Sequence, residues 1–175
     1  MADDRELWER ICQGDVRAFE DFYQENAPRL LRFLRQLLGE SQAAEDVAQE
    51  TFLGLWQRPN GFRPERGSLR AYVFGIGRKR SADWWRRRGA VAKDTEREAD
   101  SATAEDSSLV NDALSRLEAN QRALLWLREV EGQSYEELAE ILEVPLGTVK
   151  SRLFTAREEL RRIWRGQKTE EPEKL

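Results

Sequence analysis

Along most of the chain apolar residues recur at spacings of three and four, and no stretch alternates apolar and polar residues with β-branched enrichment, so the pattern predicts helices and no sheet. Phe19, Phe22, Tyr23, Leu30, Leu34, Leu37 and Leu38 form one stripe, which Pro28 is expected to kink or restart and Gly39 to end. A second helix opens after Ser41, turns Val47, Ala48, Thr51, Phe52, Leu55 and Trp56 inward and stops before Pro59. The polar run PNGFRPERGS then reads as a loop. A third long helix, over about 69–88, buries Leu69, Tyr72, Val73 and Ile76 and leaves Arg70, Lys79, Arg86, Arg87 and Arg88 outward. Beyond residue 107 the periodicity predicts helices near 108–118, 119–130, 135–142 and 146–164.

Between the two helical blocks, residues 89–107 hold no large apolar side chain except Val91 and are rich in Ala, Ser, Asp and Glu, the composition of a flexible acidic linker. The expected fold class is therefore all-α: two small helical domains, 1–88 and 108–165, joined by the linker 89–107 and followed by a frayed tail, 166–175.

Composition removes most chemistry. The lone Cys12 permits no intramolecular disulfide, and the absence of histidine takes away the commonest metal ligand and catalytic base. No catalytic residue, metal site or cofactor is expected, since no paired acid and base, nucleophile constellation or phosphate-cradling glycine loop is present. The N-terminus MADDRELWER lacks an apolar signal core and no run is long enough to span a bilayer, so the default is a cytoplasmic protein of bacterial type without membrane insertion. A net charge of −4 looks wrong for a nucleic-acid binder, but the sign alternates along the chain. Residues 62–88 hold 9 basic and 2 acidic side chains, and 145–165 hold 6 and 2, whereas 89–144 hold 5 and 14. Two basic surfaces on an acidic body suit a protein that meets DNA phosphate at two places; solvated helix faces are the plainer alternative.

The most specific local signal runs from Ser134 to Ile163. Ser134 and Glu137 make an S-x-x-E capping box, and Ala139 is small where crossing helices approach. Leu138, Leu142, Val144, Val149 and Leu153 return to one core, the packing of a helix-turn-helix. Glu143 stands where glycine in the left-handed conformation is usual, a departure that costs about 1 kcal/mol. With Val149, Leu153, Ala156, Leu160 and Ile163 inward, the second helix leaves Thr148, Lys150, Ser151, Arg152, Phe154, Thr155 and Arg157 outward or flanking, where they can reach a major groove. A plain helical hairpin with a polar face would show the same periodicity.

Three segments in order, AAEDVAQETFLGLWQ (43–57), FRPERGSLRAYVFGIGRKRSADWWRRR (62–88) and SYEELAEIL through PLGTVKSRLFTAREEL (134–160), resemble the extracytoplasmic-function group of the sigma-70 family. The resemblance covers the chain from about Ala18 to Trp164 and implies only the second and fourth sigma domains. It implies a transcription initiation factor that binds core RNA polymerase at its clamp and flap, directs it to promoter DNA, melts the minus-ten element and is held in check by an anti-sigma factor.

Carried over by position, Asp46, Gln49, Glu50 and Leu53 would dock on the polymerase clamp; with position 57 they share one helix face. The loop Phe62 to Ser68 would capture a flipped base, with Phe62, Arg63 and Arg66 supplying stacking and phosphate contacts. An ordinary Pro/Gly turn is the alternative. Tyr72, Arg78, Lys79, Arg80 and Arg86, with Ser68, complete the implied minus-ten set. Tyr72 replaces the family's usual Trp and Lys79 a frequent Asn, so promoter sequences of relatives do not transfer. Trp84 and Trp85 either stack on bases or close the core. The implied minus-thirty-five set is Ser134, Thr148, Lys150, Ser151, Arg152, Phe154, Thr155 and Arg157, with Thr155 where the family commonly has Arg. The linker is implied to follow a polymerase channel near the RNA path; by composition it is only a spacer. A helix-turn-helix repressor or activator, which would bind palindromes as a dimer without polymerase, and an interaction module that has lost its DNA contacts stay open as readings.

Overall fold

The computed structural model describes residues 3–88 and 108–170. The described residues form helices and no strand, as the periodicity predicts; the expected linker 89–107 lies outside them. The first half holds α1 (Asp4–Cys12), α2 (Val16–Leu38), α3 (Ser41–Gln57) and α4 (Leu69–Arg88). The second holds α5 (Ser108–Ser115), α6 (Ala119–Leu125), α7 (Tyr135–Leu142) and α8 (Leu146–Glu170).

α2 runs unbroken through Pro28, against expectation. Phe22 and Asn26 before the proline and Leu30, Phe33, Leu34 and Leu37 after it are all buried, and packing on both sides outweighs the roughly 3 kcal/mol that an interior proline costs. The Asn26 amide also donates to the Phe22 carbonyl at 2.9 Å. Gly39 ends the helix in the left-handed conformation (φ 68°), as expected. Within the predicted stripe Tyr23 is exposed, its ring lying edge-on to Phe52.

Sequence periodicity gave no α1, which is short and carries few large apolar residues. The helix holds the loop in place. Asp4 accepts the Leu69 backbone N–H at 2.7 Å, and Trp8 packs on Phe62 and Tyr72 with ring centroids 5.5 and 6.1 Å away. Ser68 accepts the Ala71 N–H at 3.1 Å, so α4 starts with two oxygens on its orphan amides.

In the second half, α6 passes into one π-helical turn, Trp126–Val130, where 119–130 was expected to be a single helix. α8 continues through Glu170, past the predicted end at Trp164 and into the expected tail. The two halves pack against each other. Phe33 and Phe74 stack at 5.4 Å within the first half. Arg122 reaches out of the second half to the Gln36 carbonyl at 2.9 Å while binding the Leu114, Ser115 and Leu117 carbonyls that end α5. Glu131, almost wholly buried, lies 3.8 Å from Arg29 and 4.0 Å from Arg32 of α2.

Candidate nucleic-acid and polymerase interface

α3 buries Val47, Ala48, Thr51, Phe52 and Leu55, so its remaining face is set by the helical repeat. Asp46, Gln49, Glu50, Leu53 and Gln57 are all exposed, Leu53 with 51% of its surface open. An apolar side chain ringed by carboxylates and amides is a surface a basic helical partner can use. Glu50 also takes part in the fold, pairing with Arg80 at 3.2 Å.

The loop after α3 departs from expectation at its first residue. Phe62 is only 8% exposed, wedged between Trp8 and Tyr72, whose rings stand 5.5 and 5.7 Å away. A ring so enclosed cannot receive a nucleobase on its face, so Phe62 holds the loop rather than stacking on DNA. Arg63 and Arg66 are exposed, and Arg66 lies 3.8 Å from Glu140. Tyr72 donates its hydroxyl to the Asn60 carbonyl at 2.5 Å; burial pushes its phenol up, so it stays a neutral donor.

Beside this loop a hollow of about 280 Å³ opens between the end of α3 and α4. Gly54, Arg58, Asn60, Tyr72, Ile76 and Arg80 line it. Of these the sequence marks Tyr72 and Arg80 as site residues and Ile76 as an inward residue of α4. Gly54 was the legible signal, since a glycine inside a good helix calls for a packing reason. A Cβ there would stand 2.7 Å from the Arg80 Nη2, so the missing side chain makes room for the guanidinium at the edge of the hollow. Arg80 Nε is buried without a hydrogen-bond partner.

Along α4 the cations are distributed unequally. Lys79 and Arg86 are exposed, Arg86 pairing with Asp83, while Arg78 is half-buried and donates through Nε to the Ile141 carbonyl at 2.7 Å. Trp85 donates to the Leu37 carbonyl at 3.4 Å, and Trp84 carries the Arg88 guanidinium 4.5 Å above its ring. Both indoles thus have partners within the protein, and Trp84 packs on the core.

The helix-turn-helix is built as the pattern requires. Ser134 accepts the Glu137 N–H at 3.0 Å, and the Glu137 carboxylate accepts the Ser134 N–H at 2.9 Å. Its hydroxyl oxygen is therefore committed to the cap. Leu138, Val149, Leu153 and Ala156 are buried, with Ile141 more deeply placed than Leu142. Lys150, Ser151, Arg152, Phe154 and Thr155 are exposed, Phe154 with 66% of its surface open, and Thr148 is half-buried. Ser151 and Thr155 turn their hydroxyls back onto the Thr148 and Ser151 carbonyls, each at 3.0 Å. Arg157, expected outward, is tied to Glu129 at 2.6 Å.

Glu143 adopts the left-handed conformation (φ 54°, ψ 46°) that the turn demands. Its carboxyl is held below the usual range, first by the hydrogen bond from Lys79 at 2.6 Å and further by Arg78 and Arg66. Among the described residues no cluster of His, Cys, Asp and Glu could hold a metal ion, and no helix is long and apolar enough to cross a membrane.

Comparison with known proteins gives these surfaces a common frame. Residues 22–91 match the model for sigma-70 region 2, and residues 107–160 match that for sigma-70 region 4. The chain is 31% identical over 172 residues to the ECF RNA polymerase sigma factor RpoE of Cereibacter sphaeroides, covering 90% of this chain and 95% of that one. It is 35% identical over 151 residues to the ECF RNA polymerase sigma factor SigL of Mycobacterium tuberculosis, covering 79% and 84%. Among solved structures, the sigma factor RpoE of Bartonella quintana, in complex with the anti-sigma factor NepR, superposes with a TM-score of 0.73 at 28% identity, over 86% of this chain and 98% of that one. CnrH in complex with the cytosolic domain of CnrY shares the fold, with a TM-score of 0.71 at 24% identity, over 94% and 98%. With both sigma regions in order and relatives matched over nearly their whole length, the chain belongs to the extracytoplasmic-function group of sigma-70 family RNA polymerase sigma factors.

Proposed function

We propose that the α3 face of Asp46, Gln49, Glu50 and Leu53 docks on the clamp of core polymerase, that α4 and the preceding loop engage the minus-ten element, and that the N-terminal half of α8 enters the major groove of the minus-thirty-five element. The observation that supports this most directly is an exposed acidic and apolar α3 face in the same chain as two cation-bearing helices, each inside a matched sigma region. Residues 1–88 and 108–165 then act as the two functional domains, with 89–107 between them. The chain works in the bacterial cytoplasm as a binding subunit with no catalytic group or cofactor of its own. The sigma factor RpoE of Bartonella quintana was solved with the anti-sigma factor NepR, which supports such a partner for this chain too.

In this reading the hollow lined by Gly54, Arg58, Asn60 and Ile76 receives an extruded base, because it offers amide, guanidinium and apolar walls. Capturing an unstacked base draws the duplex toward the open form, so binding supplies the melting energy. The test is runoff transcription: purified chain mixed with core polymerase should give promoter-dependent transcripts that core alone does not. Palindrome binding by a dimer of the free chain, with no transcripts, would refute it.

On α8 the exposed Thr155 lacks the guanidinium common at that place. Thr155→Arg is expected to add one guanine or phosphate contact, about 1–3 kcal/mol, in the holoenzyme. Selection from promoters randomised upstream should then show tighter binding or one altered base preference, with core affinity unchanged. An unaltered selection would show that residue 155 faces away from DNA.

A further inference from the structure

α1 contributes no side chain to the hollow beside α4, yet it touches the loop 58–68 at its beginning, middle and end. Cys12 donates its thiol to the Pro59 carbonyl at 3.6 Å, and Pro59 lies between Arg58 and Asn60, two residues of the hollow's wall. Trp8 packs edge-on against both Phe62 and Tyr72, at 67° and 79°. Asp4 accepts the Leu69 N–H where the loop gives way to α4. The middle contact reaches the hollow through Tyr72, whose hydroxyl is held on the Asn60 carbonyl. That hydroxyl passes so close to Gly61 that a Cβ there would stand 2.9 Å from it.

The loop's own bonding is sparse. It closes one backbone turn, from the Arg66 N–H to the Arg63 carbonyl at 2.9 Å, and Pro59 and Pro64 have no N–H to donate. α1, by contrast, is fixed on its other side: Ile11 is almost wholly buried in the core, and Arg10 pairs at 2.8 Å with Asp15, which caps α2. A helix anchored in the core thus carries the loop on its opposite face. We propose that α1 is a strut for base capture: Asp4 and Trp8, without touching DNA themselves, position the loop so that Arg58, Asn60 and Tyr72 stand ready as the wall that meets an extruded base. The proposal rests on the reading of the hollow as the base site. Extruding a base is costly, and a wall already in place does not have to be ordered at the moment of capture. The support comes from outside the matched sigma region, since α1 lies wholly before residues 22–91.

The test uses holoenzyme assembled from core polymerase and the full chain, with permanganate reactivity of the promoter as the measure of opening. Promoters that the parent transcribes carry a single abasic site, moved in turn through the non-template strand of the minus-ten element, so that one of them lacks the base the hollow takes. Trp8→Ala and Asp4→Ala are each expected to lower opening of the intact promoter about tenfold, as for a loop that holds its competent shape about a tenth of the time. At the abasic site that costs the parent most, the same variants should lose less than about twofold more, because a base that is poorly held contributes little when it is deleted. Trp8→Phe and Asp4→Asn, which keep a ring and an acceptor, should recover most of the opening, and Glu6→Gln on the exposed side of α1 should match the parent. Core affinity should hold in every variant. Circular dichroism checks that each is folded; Asp4→Ala, which removes one acceptor, keeps the test decisive where Trp8→Ala does not fold. The proposal is overturned by strut variants that open the promoter like the parent, by losses that multiply independently with the abasic loss, by core affinity that falls as far as opening does, or by Glu6→Gln reproducing the loss. A parent indifferent to every abasic site refutes base capture itself and the strut's purpose with it. Independent losses with a sensitive parent refute the strut alone.

Discussion

Asp46→Arg combined with Leu53→Asp is expected to lower affinity for core polymerase at least about 100-fold. Burying a leucine side chain at an interface is worth about 1.5–3 kcal/mol, and setting a like charge against a basic partner costs several kcal/mol more. Each 1.4 kcal/mol is a factor of about ten in the dissociation constant. Neither side chain holds the fold. Leu53 is half exposed, and among the described residues the Asp46 carboxylate accepts a hydrogen bond from Gln42, one turn away on the same helix, at 3.0 Å. Thermal stability should therefore stay within about 0.5 kcal/mol of the parent, as for other surface changes. Glu50 is the less suitable position for this test, because reversing it also breaks its pair with Arg80 and sets two guanidinium groups together beside the Gly54 hollow. Binding is measured by fluorescence anisotropy of labelled chain titrated with core polymerase, and runoff should fall in parallel. Undiminished binding by the double variant would place the docking surface elsewhere.

The helical periodicity was legible wherever one face of a helix is buried against its own half. The inward residues of α3, the end of α2 at Gly39 and the capping box of α7 follow directly from spacing and cap chemistry. Pro28 misled because its penalty is local, whereas Phe22, Leu30 and Phe33 bind both halves of α2 to one core. α1 escaped because its main contacts, Asp4 with Leu69 and Trp8 with Phe62, join residues more than fifty positions apart. The extension of α8 into residues read as tail escaped because that segment has no apolar stripe. The candidate site divides along the same line. Exposure on α3 and α8 is a property of one helix and could be read; the engagement of Arg78 and Lys79 by α7 depends on how the halves meet and could not. Glu143 was visible as an anomaly of its turn, whereas its ion pairs with Lys79 and Arg78 depend on the packing of α7 on α4.

Phe62→Ala is expected to act on the fold before it acts on DNA. Its ring is enclosed by Trp8 and Tyr72, and truncating a buried phenylalanine costs about 3–5 kcal/mol. For a domain of fewer than 100 residues about 1 kcal/mol corresponds to some 4–8 °C, so the melting temperature should fall by at least about 12 °C. Trp8 reports on the same contact, and its fluorescence should change with the truncation. Once Phe62 no longer pins the loop, α1 also loses a principal partner, so proteolysis near residue 12 should accelerate. Phe62→Leu, which keeps much of the apolar volume, should recover most of the stability. Arg63→Ala gives the contrasting result. Arg63 is exposed, so stability should hold while permanganate reactivity of the promoter in the holoenzyme complex declines. A base-stacking Phe62 would behave the opposite way: Phe62→Ala would then melt with the parent and lose only the open complex, and the packing role assigned to its ring would be wrong.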